Sequence, residues 1–340
     1  MIYGLRVFTI GGGTGLSALL AGLKRFVDPP EPGTPPGKDA LYFTDIAALV
    51  TVTDDGGSSG RLRDEFQMLP PGDIRSCLVA LSADESLLSS LFQHRFGGTG
   101  DLGGHNFGNL FLTALTSVTG DFYDAVRAAS HVLNIQGRIF PSTNQSVSLR
   151  AELDDGEQVR GETAISSSRK AIRRITLEPP DCPPPQDALE ALEHADLIVI
   201  GPGSLYTSLI PNLLVPGVCE ALSRSGALVV FLNNIMTQPG ETTGYTISDH
   251  VEALTKHCPS LKLSYVLANN QDVSPELLER YRNEGAAPVR AEAGELASLS
   301  CPLVEDDLLQ QGPVVRHDGI KTAKALQALF LRARVRPQLR

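Results

Sequence analysis

The sequence lacks the features that mark secreted, zinc-binding or membrane-spanning proteins. Its five cysteines are an odd number, lie far apart and form no CxxC pair, so neither a disulfide framework nor a zinc site fits their spacing. We therefore expect reduced, mostly buried thiols. The N-terminus has no signal-peptide pattern, and no apolar run approaches the roughly 18 residues that span a bilayer. These absences predict a cytoplasmic protein with no membrane span.

Positive charge is also scarce. The 340 residues include 29 Lys and Arg against 39 Asp and Glu, a net charge of −10. This balance argues against a nucleic-acid partner, because such proteins carry a basic face. The sequence has no Gly-x-Ser-x-Gly elbow and no HExxH motif, and we assign no catalytic residue. Glycine, in contrast, is abundant, with 32 residues that cluster in a few loops.

Short apolar runs that end in polar or glycine-rich turns alternate with segments of helical periodicity. Because both faces of each run are apolar, they predict buried parallel strands at Leu5–Ile10, Ile46–Thr53, Asp196–Ile200, Ala227–Leu232 and Leu263–Ala268. Apolar residues at helical spacing predict helices at Ile74–Leu81 with Asp73 as N-cap, at Leu110–Val118 after Asn106, and at Ile320–Leu331. This alternation predicts a Rossmann-like, doubly wound α/β fold with a mostly parallel sheet.

One segment breaks this pattern. From Val147 to Leu153 apolar and polar residues alternate, and Asp155-Gly156 follows. This pattern predicts a β-hairpin that joins the main sheet in antiparallel orientation. We expect a single α/β domain over 1–331, with a proline-rich loop at 28–39, this hairpin at about 145–162 and a frayed basic tail at 332–340.

The first predicted strand is followed by a glycine-rich loop, Gly11-Gly12-Gly13-Thr14-Gly15, which begins an apolar helix. Glycine lets the backbone approach a ligand closely, and a helix N-terminus presents unpaired N–H groups to an anion. We therefore expect Gly12, Gly13 and Thr14 to bind a phosphate or a sugar. The loop does not match a dinucleotide fingerprint, since Leu16 stands where the third glycine belongs, and it lacks the Gly-Lys-Ser/Thr of a Walker loop. A tight turn without a ligand is the alternative.

The second predicted strand ends in two adjacent carboxylates, Asp54 and Asp55, which suit a ribose diol or, through water, Mg²⁺. The residues after them supply N–H, hydroxyl and guanidinium donors for phosphate oxygens; these are Gly56, Gly57, Ser58, Ser59, Arg61 and Arg63. An ordinary turn is the alternative interpretation. Both turns follow neighbouring strands, so we expect them to face each other.

Polar groups also follow the later strands and precede the later helices. Because the carboxyl ends of parallel strands share one edge of a sheet, we expect these groups to contribute to one ligand site. They are Arg75, His105, Asn106, Asn109, Gly201, Gly203, Ser204 and Asn233. A lone histidine such as His105 is more often structural than catalytic. The residues alone thus predict a site for a phosphorylated ligand and no particular reaction.

Six segments in order resemble the bacterial gluconeogenesis factor family, a branch of the CofD-like superfamily. They are GGGTGLSALLAGLK, VTVTDDGGSSGRLR, PPGDIRSCLVALS, GHNFGNL, IGPGSLYTSLIPNLL and NNIMTQPGET. The resemblance extends from about Arg6 to about Leu331. It implies a Rossmann-like fold, a cytoplasmic location and homo-oligomers. It also implies a role in cell shape, cell-envelope synthesis and growth on gluconeogenic carbon sources.

The resemblance further implies a ligand, UDP-N-acetylglucosamine, bound by a regulatory protein without an established catalytic activity. It assigns Tyr281 and Arg316 to the UDP-sugar site. A tyrosine can stack on a base or a sugar, and an arginine can pair with a diphosphate. At Gly319, some relatives carry a threonine that is phosphorylated, so control by a kinase at this position is not expected here.

Two other functions remain open. The other branch of the superfamily transfers 2-phospholactate, which would make this chain a Mg²⁺-dependent transferase with Asp54 and Asp55 near the metal. The Rossmann-like first turn also suits NAD, with Asp54 on a ribose hydroxyl.

Overall fold

The structure, a computed structural model, describes residues 3–27, 41–83, 87–291, 299–310 and 312–335. The proline-rich loop expected at 28–39 lies outside them. The strands are β1 (Tyr3–Gly11), β2 (Leu41–Val50), β3 (Arg138–Pro141), β4 (Ser148–Leu153), β5 (Gln158–Arg160), β6 (Ile172–Glu178), β7 (Leu197–Ile200), β8 (Leu228–Leu232), β9 (Tyr265–Asn269), β10 (Leu303–Asp306), β11 (Leu309–Gln310) and β12 (Arg316–His317).

Helices connect most of these strands, and one π-helical turn, Leu205–Leu209, precedes α9. The α-helices are α1 (Gly13–Lys24), α2 (Gly57–Phe66), α3 (Gly72–Leu81), α4 (Leu87–Gln93), α5 (Phe107–Thr119), α6 (Phe122–Val132), α7 (Glu162–Ser167), α8 (Gln186–Glu193), α9 (Ile210–Leu214), α10 (Val218–Arg224), α11 (Ile247–His257), α12 (Pro275–Asn283) and α13 (Gly319–Val335).

A seven-stranded sheet forms the centre of the fold, in the order β10-β9-β8-β7-β1-β2-β3. Every neighbouring pair in it is parallel. The chain builds outward from β1 through β2 to β3 and then returns to place β7 on the other side of β1. This reversal is the topological switch point of a doubly wound sheet, where ligands bind beyond the carboxyl ends of the strands. The predicted fold class is confirmed.

The five strands predicted from apolar runs are β1, β2, β7, β8 and β9, the central strands of the sheet. Most of their residues are buried, as expected for parallel strands that are covered on both faces. The two edge strands, β3 and β10, were not predicted. Each has four residues, with Arg and Pro in one and Glu and Asp in the other, so neither forms an apolar run.

The predicted hairpin is present, but it does not join the main sheet. Arg150 in β4 pairs with Arg160 in β5, and β4 also pairs along its length with β6. These strands form a separate antiparallel sheet in the order β5-β4-β6. The expected addition to the main sheet is therefore wrong. The buried alternate residues of β6, such as Ile175, pack with those of β4 on one apolar face.

Helix ends agree with the sequence in part. The helix predicted after Asn106 is present as α5, and Asn106 caps it by accepting the Asn109 N–H at 3.2 Å. Asp73, in contrast, does not cap α3: it lies within the first turn after Pro71, and its carboxylate bonds to another part of the chain. The last helix continues to Val335, so the segment expected to be a tail from 332 begins inside a helix.

Two cysteines are joined, which corrects the expectation of five reduced thiols. A disulfide links Cys219 in α10 to Cys258 after α11, with their Cα atoms 5.9 Å apart. The other three cysteines are free and buried. The paired residues are 39 positions apart in the sequence, and only the packing of two helices beside the sheet brings them together.

No single helix in the described ranges is long and apolar enough to cross a membrane. Leu205–Leu214 and Val218–Arg224 reach that composition only as a pair, across a 77° bend.

Helices α1 and α13 cross where two glycines meet. A Cβ built on Gly22 would collide with the backbone of Gly319, and a Cβ on Gly319 would collide with the Ala18 carbonyl oxygen. The crossing therefore needs hydrogen at both positions. It also explains in physical terms why a threonine, or its phosphorylated form, has no place at Gly319 in this chain.

Replacing Gly319 by alanine is expected to lower the free energy of unfolding by about 1–3 kcal/mol, because the added methyl presses on the backbone of α1. Urea denaturation measures this change. Gly226→Ala is the matched control, since a Cβ there meets no atom within 4 Å. Equal stabilities of the two variants would contradict the close helix crossing.

Candidate functional site

A cleft of about 620 Å³ lies at the carboxyl ends of β1 and β7, the switch point of the sheet. Its walls come from eight parts of the chain. The predicted site residues among them are Gly12, Gly13, Thr14, Asp54, Gly203, Ser204, Tyr281 and Arg316. Residues that are distant in sequence thus meet where a doubly wound sheet binds its ligands.

The glycine loop forms the floor of this cleft. Gly13 begins α1 with φ +66°, a left-handed conformation that favours glycine, and Gly12 precedes it with no side-chain cap on the helix. A Cβ on Gly12 would lie 2.8 Å from the Asp73 Oδ2 atom. The first N–H groups of α1 have no carbonyl partners within the helix and can bind an anion.

The turns after β7 and β8 are tied to each other beside this loop. The Asn234 amide donates to the Gly203 carbonyl at 2.9 Å, and the Gln238 amide donates to the Ser204 hydroxyl at 2.8 Å. Asn233 is buried behind this wall, where its carbonyl accepts a hydrogen bond from the His317 Nε2 atom at 3.2 Å. Burial lowers the pKa of His317 to about 4, so its ring is neutral.

Four carboxyl groups line the cleft, and three of them, Asp54, Asp73 and Glu162, are coupled to one another electrostatically. Enclosure, together with the nearby Asp54 and Asp73 carboxylates, raises the pKa of Glu162 to about 9. Enclosure also raises the pKa of Asp73 to about 6, against the effect of the Gly13 N–H, which donates to it at 2.6 Å. At neutral pH the cleft therefore holds a protonated Glu162.

The adjacent carboxylates Asp54 and Asp55 point to different partners. Asp54 Oδ1 accepts the Gly56 N–H at 2.8 Å, whereas Asp55 Oδ1 accepts the N–H and hydroxyl of Thr163 at 2.9 and 2.6 Å. No group of three or more metal-ligating side chains is found in the part of the chain that the structure describes. The two carboxylates are thus held by different partners, and the Mg²⁺ ion that the sequence suggested near them stays a prediction.

Asp55, Gly56 and Gly57 line a second cleft of about 670 Å³, on the other side of the same turn. Arg63 also borders it, and its guanidinium donates to the Val147 carbonyl at 2.7 Å and to the Ser148 hydroxyl. Asp54 thus faces the main cleft, whereas Asp55, Gly56 and Gly57 face the second cleft. The predicted ligand residues of this turn therefore divide between two clefts.

A third group of predicted residues forms a buried hydrogen-bonded cluster. Ser58 bonds to His105 Nδ1 at 3.1 Å, and the Asn109 amide donates to the same hydroxyl at 3.3 Å. Burial, with the nearby Arg61, lowers the pKa of His105. Among the described residues that line the main cleft, none belongs to this cluster. These side chains join α2 to α5, which supports the structural interpretation of His105.

The remaining predicted residues mainly hydrogen-bond or pack within their own part of the fold. Arg61 donates to the Gly103 carbonyl at 3.1 Å, and Arg75 donates to the Ser76 hydroxyl at 3.0 Å. Ser59 is buried in α2 against Gly72. Gly201 is buried at the end of β7. Neither arginine lines the main cleft, so a role for them in ligand binding stays a prediction.

The far end of the cleft is apolar. Ile235, Met236, Ala286 and Val315 line it and belong to a small hydrophobic cluster under α12. Tyr281 joins this cluster, and its hydroxyl accepts the Val315 N–H at 3.1 Å. Arg316 lies at the rim with its side chain exposed. The cleft is thus polar at the glycine loop and apolar at the opposite end.

Sequence reasoning missed several residues of the cleft, among them two carboxyl groups at its polar end, Glu162 and Asp73. Glu162 follows the hairpin and carries no motif, so only the packing of the small sheet brings it to the cleft. Asp73 was interpreted as a helix cap, although its place in the segment Gly72-Asp73-Ile74-Arg75, just after the second glycine turn, was a usable signal.

The chain is similar to proteins of one family along nearly its whole length. The family model described as 2-phospho-L-lactate transferase CofD matches residues 7–309. The gluconeogenesis factor of Halalkalibacterium halodurans is 46% identical over 321 residues, which cover 94% of this chain and 95% of that protein. The gluconeogenesis factor of Bacillus subtilis is 45% identical over 326 residues, covering 96% and 98%.

A solved structure shares the fold. The crystal structure of a UPF0052 family member from Bacillus halodurans superimposes with a TM-score of 0.87 at 45% identity. The match covers 95% of this chain and 99% of that one.

Replacing Glu162 by glutamine is expected to stabilise the protein increasingly as pH rises from about 5 to about 9. The folded state keeps Glu162 protonated up to about pH 9, whereas an unfolded glutamate ionises near 4.5. The stability that this group contributes is therefore present below pH 4.5 and is lost as pH rises toward 9. Glutamine cannot ionise and avoids this loss.

Thermal unfolding at pH 5 and pH 8 measures the effect, and we expect the variant to gain about 2 °C or more at pH 8 relative to pH 5. The exposed Glu190→Gln is the matched control and should gain nothing. A pH-independent difference between the Glu162 variant and the parent protein would show that the group is ionised in the fold.

Proposed function

This chain belongs to the gluconeogenesis factor family, a branch of the CofD-like superfamily, and we propose that it is a regulatory protein that binds UDP-N-acetylglucosamine. We propose that it acts in the cytoplasm, as a homo-oligomer, in cell shape, cell-envelope synthesis and growth on gluconeogenic carbon sources. The name of its relatives, gluconeogenesis factor, supports the metabolic part of this role.

The observation that carries the proposal is the division of the cleft into a polar and an apolar end. The N–H groups at the start of α1 suit a diphosphate, and the apolar wall beside Tyr281 suits a flat base. The Asp54 carboxylate can accept hydrogen bonds from sugar hydroxyls, and Arg316 at the rim can pair with phosphate. A volume of about 620 Å³ is within the usual range for a small-molecule site.

A 2-phospholactate transferase-like activity is a second candidate. The match to the CofD family model favours it, and so does Glu162, whose raised pKa leaves a proton donor in the cleft. Incubation with a deazaflavin precursor, an activated phospholactate donor and Mg²⁺, followed by mass spectrometry, decides between the two. Formation of the transfer product would replace the regulatory proposal.

NAD is the third candidate ligand of the same cleft. Its fingerprint requires a glycine at the position of Leu16, whose side chain is fully buried in the core of this chain. This substitution weighs against a dinucleotide. Competition between NAD and UDP-N-acetylglucosamine in a thermal-shift assay tests it, because a shared site makes their stabilising effects non-additive.

Isothermal titration calorimetry with UDP-N-acetylglucosamine tests the main proposal, and we expect saturable binding. Arg316→Ala is expected to weaken this binding by about fivefold or more, since a charge-assisted contact to phosphate is lost, while the melting temperature stays unchanged. Arg127→Ala removes an exposed arginine from α6 and is the matched control. No heat above buffer at millimolar ligand would refute the proposal, and an unchanged dissociation constant would remove Arg316 from the site.

A further inference from the structure

One side chain connects the carboxyl cluster of the cleft to its anion-binding loop. Asp73, in the first turn of α3, accepts the N–H of Gly13 through Oδ2 at 2.6 Å, although the two residues are 60 positions apart. That N–H is the first donor of α1. One of the groups that would otherwise be offered to a ligand phosphate is therefore already bonded to a carboxylate.

The contact restricts the conformations of both the Asp73 side chain and the glycine loop. Gly12 approaches Asp73 so closely that a Cβ there would stand 2.8 Å from Oδ2. The loop bends through the left-handed Gly13 and then enters the first turn of α1. Thr14 and Gly15 follow in that turn and line the cleft. A phosphate that binds their N–H groups would thus be an immediate neighbour of the Asp73 carboxylate.

Other charges around Asp73 do not cancel its own. Asp54 lies near enough to raise the pKa of Asp73, and the protonated Glu162 on the same wall supplies no positive charge. Arg75, two residues further along α3, is the nearby cation and lowers that pKa, but its guanidinium donates to Ser76. The loop therefore offers N–H donors to an anion beside fixed negative charge, so each further unit of ligand charge lowers its affinity.

We propose that Asp73 is a specificity-determining residue that selects the charge of the phosphate at the glycine loop, favouring diphosphate diesters over ligands that end in a phosphate monoester. In a diester such as a nucleotide sugar each phosphate carries one negative charge, whereas the terminal phosphate of a nucleoside diphosphate approaches two at neutral pH. This inference rests on the proposed function, because it concerns the same cleft.

Asp73→Asn removes the negative charge of the side chain without removing its hydrogen bond to the Gly13 N–H. The asparagine keeps a carbonyl oxygen that can accept the Gly13 N–H, but it carries no charge. We expect the variant to bind UDP about tenfold more tightly, UDP-N-acetylglucosamine no more than about threefold more tightly, and uridine equally well. The dissociation constant for UDP, divided by that for UDP-N-acetylglucosamine, therefore falls in the variant. A purely structural role of Asp73 would not produce this fall.

Calorimetry with UDP, UDP-N-acetylglucosamine and uridine, on the parent protein and the variant, measures these ratios. Asp101→Asn removes the same charge from an exposed loop and should leave every ratio unchanged. A ratio that is unchanged or raised in Asp73→Asn overturns the inference, even where the parent protein binds the nucleotide sugar as proposed.

Inorganic pyrophosphate and orthophosphate are the second pair of probes. A parent protein that binds pyrophosphate but no uridine ligand refutes the proposed function alone, and tighter pyrophosphate binding by Asp73→Asn then still supports the role of Asp73. A parent protein that binds none of the phosphate-bearing probes overturns both.

Discussion

The hydrogen bond between the Gly13 N–H and the Asp73 carboxylate is the contact on which the site depends. It fixes the glycine loop against α3 and thereby sets the floor of the cleft at the switch point of the sheet. It also brings a negative charge to the N-terminus of α1, where the helix dipole stabilises an anion. The backbone that can hold a phosphate and the side chain that limits its charge are thus parts of one arrangement.

The central strands and the glycine loop are predictable from the sequence, because burial on both faces leaves continuous apolar runs and a sharp turn requires glycine. Pairings between residues that are far apart in the sequence are not predictable from it. The hairpin pairs with β6, and Cys219 meets Cys258, only through packing that no local pattern encodes.

The same limit applies within the site. Asp54 and the loop at 11–15 were found because they directly follow strands, and strand ends share an edge. Tyr281 and Arg316 came from the family resemblance and lie on the cleft wall. Residues 58, 59, 61, 75, 105, 106 and 109 have the chemistry of ligand groups, but none of them lines the main cleft, and residues 58, 61, 105 and 106 hydrogen-bond within α2, α5 and the intervening loops. Residue type and spacing do not report whether a polar group is already satisfied.

The central claim is that the cleft binds a nucleotide sugar with its diphosphate at the glycine loop. A crystal soaked with UDP-N-acetylglucosamine tests it most directly. We expect electron density for the diphosphate beside Thr14 and Gly15 and for the uracil ring against the apolar wall near Tyr281. An empty cleft, or a ligand whose phosphates lie away from the start of α1, would contradict it.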